Sequence, residues 1–175
     1  MWEEKRTEPL TIISQRGLDI IIRELIEYGY QGISEKFQFK INYQAVEEHK
    51  AITFNELKLE FAPTRHSVKN LAIKISDGKN TVCYSGDGMF SEETEKLYKN
   101  SDLVIHEAFY LDQKTSGHAC ITDLIDMALR NNIKFLALTH LERNLRRLGT
   151  DAIKAKLSQK NSGIIIPEPL EKYSF

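Results

Sequence analysis

Five histidines, at positions 49, 66, 106, 118 and 140, are the residues of this sequence best suited to proton transfer and metal binding. Four of them fall between positions 66 and 140, beside segments that predict strand ends and loops. Side chains at the strand ends of an α/β sheet point into the crevice where such proteins place their sites. His49 lies in the polar run Glu47–Lys50 and is interpreted as a surface residue. For any other single histidine, a core or surface position without a role is the alternative.

Asp87 follows a predicted strand in the segment Ser85-Gly86-Asp87-Gly88. Glycines on both sides of an acid allow a sharp turn that presents the carboxylate without steric cost. A carboxylate held in this way can bridge two divalent metal ions. An ordinary turn aspartate is the alternative interpretation.

The elements that must position these side chains follow from hydrophobic periodicity. Apolar residues at helical spacing predict a helix over Gly17–Tyr28, before Gly29. Alternating or β-branched segments predict antiparallel strands at Phe37–Ile41, Leu57–Phe61, Leu71–Ile75 and Thr81–Ser85, the last two joined by a hairpin turn at Asp77-Gly78. Later segments predict buried strands at Leu103–Ile105, Phe135–Leu138 and Gly163–Ile166, with helices near Glu92–Lys99, Ile121–Arg130 and Gly149–Ser158. The predicted fold class is therefore α/β: one unit over residues 1–175, with a mixed sheet between Phe37 and Ile166 flanked on one face by helices.

Composition excludes several classes of protein. The 175 residues are 41% hydrophobic and 28% charged, which is typical of a globular protein and not of a disordered or fibrous one. A formal net charge of −1 excludes a global basic field for nucleic-acid binding. Two cysteines, Cys83 and Cys120, cannot form a disulfide framework, which predicts a cytoplasmic location. No apolar run approaches the roughly 18 residues of a membrane span, so we expect no signal peptide and no membrane anchor.

Five segments together resemble the metallo-β-lactamase fold hydrolases, and among them the ribonuclease Z-like branch. They are Arg65–Ala72, Tyr84–Asp87, Asp102–Phe109, Gly117–Ala119 and Leu138–His140, and they occur in the family's order. The separations are 21 residues from His66 to Asp87, 31 from there to His118 and 22 more to His140. The resemblance extends from about Met1 to Arg146, and it implies the C-terminal half of an αββα sandwich.

The resemblance also implies roles for individual residues. His66 would bind a first zinc ion, His140 a second, and Asp87 would bridge both. Imidazole and carboxylate groups are ligands that zinc accepts, and a bridged pair can generate hydroxide near neutral pH. His118 would protonate the leaving group, and Glu107 would orient the His118 ring. A buried acid in a salt bridge is the alternative for Glu107, and His106 is interpreted as structural because it points to the opposite face of the strand.

One departure from the family limits this expectation. The diagnostic H-x-H-x-D-H motif supplies several of the family's metal ligands, and no H-x-H occurs in this sequence. We therefore expect a domain incomplete at its N-terminus, through truncation, a misassigned start or genuine loss. The complete family site holds two zinc ions, whereas this chain would hold one at most, weakly, and would be inactive alone. Apolar surface left uncovered would favour a homo-oligomer or the missing N-terminal half as partner.

Two further departures concern the substrate. Ribonuclease Z enzymes carry a long insertion that grips transfer RNA, but only five residues separate Ile75 from Thr81 here. Position 144 is Asn where the family often has Arg, and the basic cluster Arg143–Arg147 either faces a phosphate or is a solvated helix start. One hypothesis is a zinc-dependent hydrolase of a phosphodiester or other ester, in a small molecule or a nucleic acid, using metal-bound hydroxide. The other is a non-catalytic remnant that retains half of the fold for binding or assembly.

Overall fold

The computed structural model describes residues 5–147, residue 153 and residues 163–174. The chain divides into two compact units, Met1–Lys50 and Ala51–Phe175. In chain order the elements are β1 (Leu10–Gln15), α1 (Leu18–Gly29), a 3₁₀ turn (Ser34–Lys36), β2 (Ile41–Val46), β3 (Ile52–Phe54), β4 (Leu57–Pro63), β5 (Leu71–Ser76), β6 (Thr81–Tyr84), α2 (Glu92–Tyr98), β7 (Leu103–Glu107), α3 (Ile121–Arg130), β8 (Phe135–Thr139), α4 (Arg143–Arg147) and β9 (Ile164–Ile165).

The first unit contains a strand, a crossover helix and a second strand. β1 and β2 pair in parallel, with Leu10 opposite Ile41, and α1 provides the connection that parallel strands need. The predicted helix is confirmed. The predicted antiparallel strand over Phe37–Ile41 is wrong, because only Ile41 belongs to a strand and that strand pairs in parallel. The rings of Phe37 and Phe39 stack on each other at 4.9 Å, so their alternation reflects a local aromatic pair rather than a strand ladder.

The second unit is built on a seven-stranded mixed sheet in the order β3-β4-β5-β6-β7-β8-β9. The pairs from β3 to β6 are antiparallel, and the pairs from β6 to β9 are parallel. The predicted mixed sheet is thus confirmed. The hairpin between β5 and β6 turns at Gly78, where φ is +86°, and the Asp77 carboxylate accepts hydrogen bonds from the backbone N–H groups of Lys79 and Asn80.

Helices α2 and α3 enclose the buried core with the sheet. Tyr98 of α2 and Leu124 of α3 belong to one buried cluster with Val104 of β7. Ser91 begins α2 through a capping box with Thr94. The helix ends where the Lys74 ammonium group donates to the backbone carbonyls of Leu97 and Lys99. Because these contacts fix α2 at both ends, the segment between β6 and β7 has a defined path.

The parallel part of the sheet determines where chemistry can occur. Strands β6, β7 and β8 run in the same direction, so their carboxyl ends meet at one edge. The predicted helix Gly149–Ser158 lies outside the described residues, apart from the buried Ile153. Across the described part of the chain, no helix has the length and apolar character required to cross a membrane.

Candidate metal centre

Asp87 lies after β6 in a loop where neither of its two neighbouring glycines has room for a side chain. Asn70 donates from Nδ2 to the Ser85 carbonyl at 2.9 Å and to the Thr64 hydroxyl at 2.6 Å. A Cβ at Gly86, where φ is +67°, would lie 2.5 Å from the Asn70 side chain, and a Cβ at Gly88 would lie 2.3 Å from Thr64 Oγ1. Glycine is therefore required on both sides of Asp87, by conformation and close packing at Gly86 and by close packing at Gly88.

Three loops that carry predicted site residues are joined by backbone hydrogen bonds. Arg65, which precedes His66, exchanges two bonds with Met89 at 2.8 and 3.0 Å. The Met89 N–H also lies 3.2 Å from the carbonyl of Gly117, which precedes His118. These bonds keep residues separated by more than 50 positions in the sequence in one cluster.

The side chains of Asp87, Glu107, His118 and His140 converge. One ligand atom from each can be chosen so that all four lie within 4.8 Å of one another. Asp87 Oδ1 lies 3.3 Å from His140 Nδ1 and 3.6 Å from His118 Nδ1. Glu107 Oε2 lies 3.5 Å from His118 Nδ1. The arrangement combines two carboxylates with two imidazoles, which is a ligand set suited to a divalent ion such as zinc.

His66 approaches the same cluster from the other side of Asp87. Its Nε2 lies 3.8 Å from Asp87 Oδ2, whereas His118 and His140 face Oδ1. The Val68 N–H donates to His66 Nδ1 at 3.3 Å, which places the proton of the neutral imidazole on Nε2. His66 must give up this hydrogen bond before Nε2 can bind a metal ion. The structure thus brings all five predicted site residues together, and their individual roles stay predictions.

Glu107 is the buried acid of the cluster. Its side chain is 1% exposed, and this burial raises the pKa of the carboxyl group, while the hydrogen bond that Oε1 accepts from the Ala119 N–H opposes the shift. Among the described residues, Glu107 Oε2 and His118 Nδ1 are buried atoms without a hydrogen-bond partner. Buried polar atoms normally have such a partner. Two unsatisfied donor or acceptor atoms facing each other beside Asp87 therefore fit a bound cation.

His140 stands directly after β8 in an unusual backbone conformation. Its φ is +57°, in the left-handed region that non-glycine residues seldom adopt. Such strained residues are common at functional sites, where the surrounding structure holds them in place. The Arg143–Arg147 cluster that follows forms α4, and the Glu142 carboxylate accepts hydrogen bonds from the N–H groups of Asn144 and Leu145.

A cavity of about 310 Å³ opens beside His118. Its lining consists of Met89, Lys114, Thr115, Ser116, His118, Cys120 and Asp123. Lys114 and Asp123 form an ion pair at 3.4 Å, so the charges on this wall are balanced. A volume of this size is at the lower end of the range of small-molecule sites.

Sequence reasoning assigned no role to Asn70, Thr64 or Phe109, although Asn70 and Phe109 lie inside the matching segments. Asn70 and Thr64 hold the Asp87 loop as described above. The ring of Phe109 stacks on His118 with 5.0 Å between centroids. A polar or aromatic residue inside a motif was the available signal, but sequence spacing alone does not show which loop it contacts.

A profile of the family described as "Anti-Pycsar protein Apyc1" matches residues 2–162. The chain belongs to this family. It is 28% identical over 152 residues to "Probable metallo-hydrolase YhfI" of Bacillus subtilis, covering 79% of the chain and 62% of that protein. It is also 38% identical, over 181 aligned positions, to "Ribonuclease Z" of Saccharolobus solfataricus, covering 78% of the chain and 61% of that protein. The chain therefore spans about three fifths of the length of these curated relatives.

Solved structures confirm the fold of this member of the Apyc1 family. The crystal structure of the metallo-β-lactamase fold protein YhfI from Bacillus subtilis superposes with a TM-score of 0.68 at 26% identity, over 90% of the chain and 61% of that protein. Human tRNase Z, short form, superposes with a TM-score of 0.67 at 17% identity, over 91% of the chain and 64% of that protein. The predicted metallo-β-lactamase fold and its ribonuclease Z-like relationship are confirmed.

Proposed function

We propose that this protein is a zinc-dependent hydrolase that cleaves a phosphodiester. The observation that carries the proposal is the convergence of Asp87, Glu107, His118 and His140 at the carboxyl ends of β6, β7 and β8. The names of the relatives, a metallo-hydrolase and a ribonuclease Z, agree with such an activity.

Asp87, His140 and His66 are proposed as zinc ligands. His140 lies beside Oδ1 of Asp87, and His66 lies beside Oδ2. A bound zinc ion would supply a Lewis acid that lowers the pKa of water and polarises the phosphoryl oxygen. With His66, Asp87 and His140 as ligands, we expect this chain to hold at most about one zinc ion, weakly.

His118 is proposed as the proton donor to the leaving oxygen. Its Nδ1 faces the Glu107 carboxylate at 3.5 Å, and Glu107 is proposed to help orient the ring. Nε2 is then the atom that gives the proton to the substrate, and the cavity beside His118 is where the departing group would lie.

The substrate is proposed to be a phosphodiester in a small molecule or a nucleic acid, bound without an arm of the transfer-RNA-gripping kind. The tight hairpin at Gly78 leaves no insertion between β5 and β6. We also propose a cytoplasmic location, because Cys83 and Cys120 are both buried free thiols.

The test compares the protein with its Asp87→Ala variant, each first stripped of metal with a chelator. Zinc binding is followed by titration calorimetry, and hydrolysis of bis-p-nitrophenyl phosphate is followed by absorbance. The absent H-x-H-x-D-H motif predicts that the chain alone is inactive, whereas the proposed hydrolase predicts at most about one equivalent of zinc and slow, zinc-dependent turnover, both lost in the variant. Zinc binding without turnover above that of Asp87→Ala would instead indicate a non-catalytic binding module, and equal zinc binding by both proteins would remove the site assignment.

A further inference from the structure

The aromatic ring of Phe109 contacts both imidazoles that surround Asp87. Its centroid lies 5.0 Å from that of His118, with 26° between the ring planes, and 5.7 Å from that of His140, with 41° between the planes. The two imidazoles are themselves 5.6 Å apart. The three rings therefore form a triangle with nearly equal sides, and Phe109 is its only member without a polar atom in the ring.

The backbone of Phe109 is attached to both histidine-bearing segments. Its N–H donates to the carbonyl of Ala119 at 2.9 Å, and its carbonyl accepts from the N–H of Glu142 at 2.9 Å. Ala119 follows His118 by one residue, and Glu142 follows His140 by two. The same residue thus fixes the two loops through its backbone and contacts the two imidazoles through its ring.

Ring packing adds to the orientation of these imidazoles, because their polar contacts with the carboxylates are long. Across the described part of the chain, His118 Nδ1 has no hydrogen-bond partner, and its contacts with Glu107 and Asp87 are as long as 3.5 and 3.6 Å. His140 stands in the left-handed backbone region, which non-glycine residues seldom adopt. Phe109 is itself held by the edge of Tyr110, whose centroid lies 4.7 Å away at 76°. A ring fixed in this way can act as a rigid wall for the two imidazoles.

We propose that Phe109 is a positioning residue that sets the ring planes of His118 and His140, so that both Nδ1 atoms face the carboxylates of Asp87 and Glu107. This inference rests on the proposed function in one respect, since zinc affinity is one of its readouts. The other readout needs no metal, because the ring current of Phe109 acts on the imidazole protons of the metal-free protein.

The test uses Phe109→Leu, which retains apolar volume without the aromatic face, and Phe109→Tyr, which retains the face. Phe61→Leu is the matched control, because Phe61 is a buried phenylalanine on β4 and, among the described residues, the ring contacts of His118 and His140 do not include it. Zinc affinity is measured by titration calorimetry on the folded fraction. The imidazole resonances of His118 and His140 are recorded by NMR in the presence of chelator.

Phe109→Leu is expected to weaken zinc binding by about 10- to 100-fold, the usual effect of removing a group that orients a metal ligand. It should also shift the resonances of both imidazoles. Phe109→Tyr should retain the affinity, and Phe61→Leu should lower the melting temperature without changing zinc affinity or these resonances.

Two results would overturn the inference. One is unchanged zinc affinity in Phe109→Leu while Asp87→Ala abolishes binding, which would reject the role of Phe109 and leave the metal site intact. The other is an equal loss of affinity in Phe109→Leu and Phe61→Leu, which would show that Phe109 only stabilises the fold. Failure of the proposed function differs from both, because Asp87→Ala would then bind zinc as the unmodified protein does.

Discussion

His106 and Glu107 are neighbours on β7 with buried side chains, yet they face opposite sides of the sheet and two different environments. His106 lies between the rings of Phe90 and Tyr98, at 6.1 and 5.8 Å, and burial lowers its pKa to about 4. Glu107 faces His118 and His140, and burial raises its pKa. Both groups are pushed toward their neutral forms for the same reason. Glu107 faces two imidazoles, whereas His106 packs between two aromatic rings, so one face of the strand carries the candidate site and the other belongs to the core.

The largest effect is expected on activity, from substitutions of the histidines that face Glu107. If the protein hydrolyses a phosphodiester as proposed, replacing His118 by Ala should lower kcat by roughly 10²–10⁴-fold, the usual contribution of a positioned acid, while zinc content stays nearly unchanged. His140→Ala should instead lose zinc. Metal analysis beside steady-state kinetics checks both variants, and loss of zinc in His118→Ala would identify this residue as a ligand rather than a proton donor.

A smaller effect is expected from His106 in the core, and it concerns the stability of the fold rather than activity. The unfolded chain takes up a proton on His106 near pH 6.5, but the folded protein does so only near pH 4, so stability falls as the pH drops through this interval. The loss attributable to His106 amounts to about 3 kcal/mol. Urea unfolding between pH 7.5 and 4.5 should show it in the unmodified protein, and His106→Leu should have a flatter profile with unchanged zinc affinity. Parallel profiles for the two proteins would mean that the His106 ring takes up its proton without leaving the core.

Glu107 should give the opposite pH dependence in the metal-free protein. Its pKa is higher in the folded state than in the unfolded one, so its contribution to stability is complete below the unfolded pKa and is lost as the pH rises through the folded value. Glu107→Gln removes this dependence and retains an acceptor for the Ala119 N–H. We expect the variant to be more stable than the unmodified protein at neutral pH when a chelator is present. Chemical denaturation at pH 5 and pH 8 measures the difference, and a less stable variant at pH 8 would contradict it.

The smallest effect concerns the loop that presents Asp87 to Glu107. Gly88→Ala places a Cβ against Thr64 and should cost about 1–3 kcal/mol of stability, as overpacking usually does. Gly29→Ala is the control, because a Cβ there meets no atom within 4 Å and that glycine has no positive φ. Thermal unfolding of both variants distinguishes steric conflict from the general effect of replacing glycine. Equal melting temperatures would show that the Asp87 loop can shift without cost.

The sequence determined the kinds of residue at the site and most of the elements that carry them. Helices α1 to α3 and strands β4 and β5 have clear periodicity in sequence, and β6 to β8 are short segments rich in apolar and β-branched residues. β1 was not predicted, since its six residues are all half-buried and show no alternation of burial. The predicted strand at Phe37–Ile41 was wrong because two stacked phenylalanines imitate the alternation of a strand.

Tertiary structure decided which atoms of the site face each other. The five motif residues follow from the sequence, but the assignment of the two oxygens of Asp87 to different histidines depends on three loops joined by Arg65, Met89 and Gly117. The contacts of Phe109 with both imidazoles depend in the same way on backbone bonds to Ala119 and Glu142. The physical reason is the separation in sequence between the groups that interact. Periodicity records how each segment meets the core, whereas the direction of a site side chain is set by groups far away in the sequence whose distance no local pattern encodes.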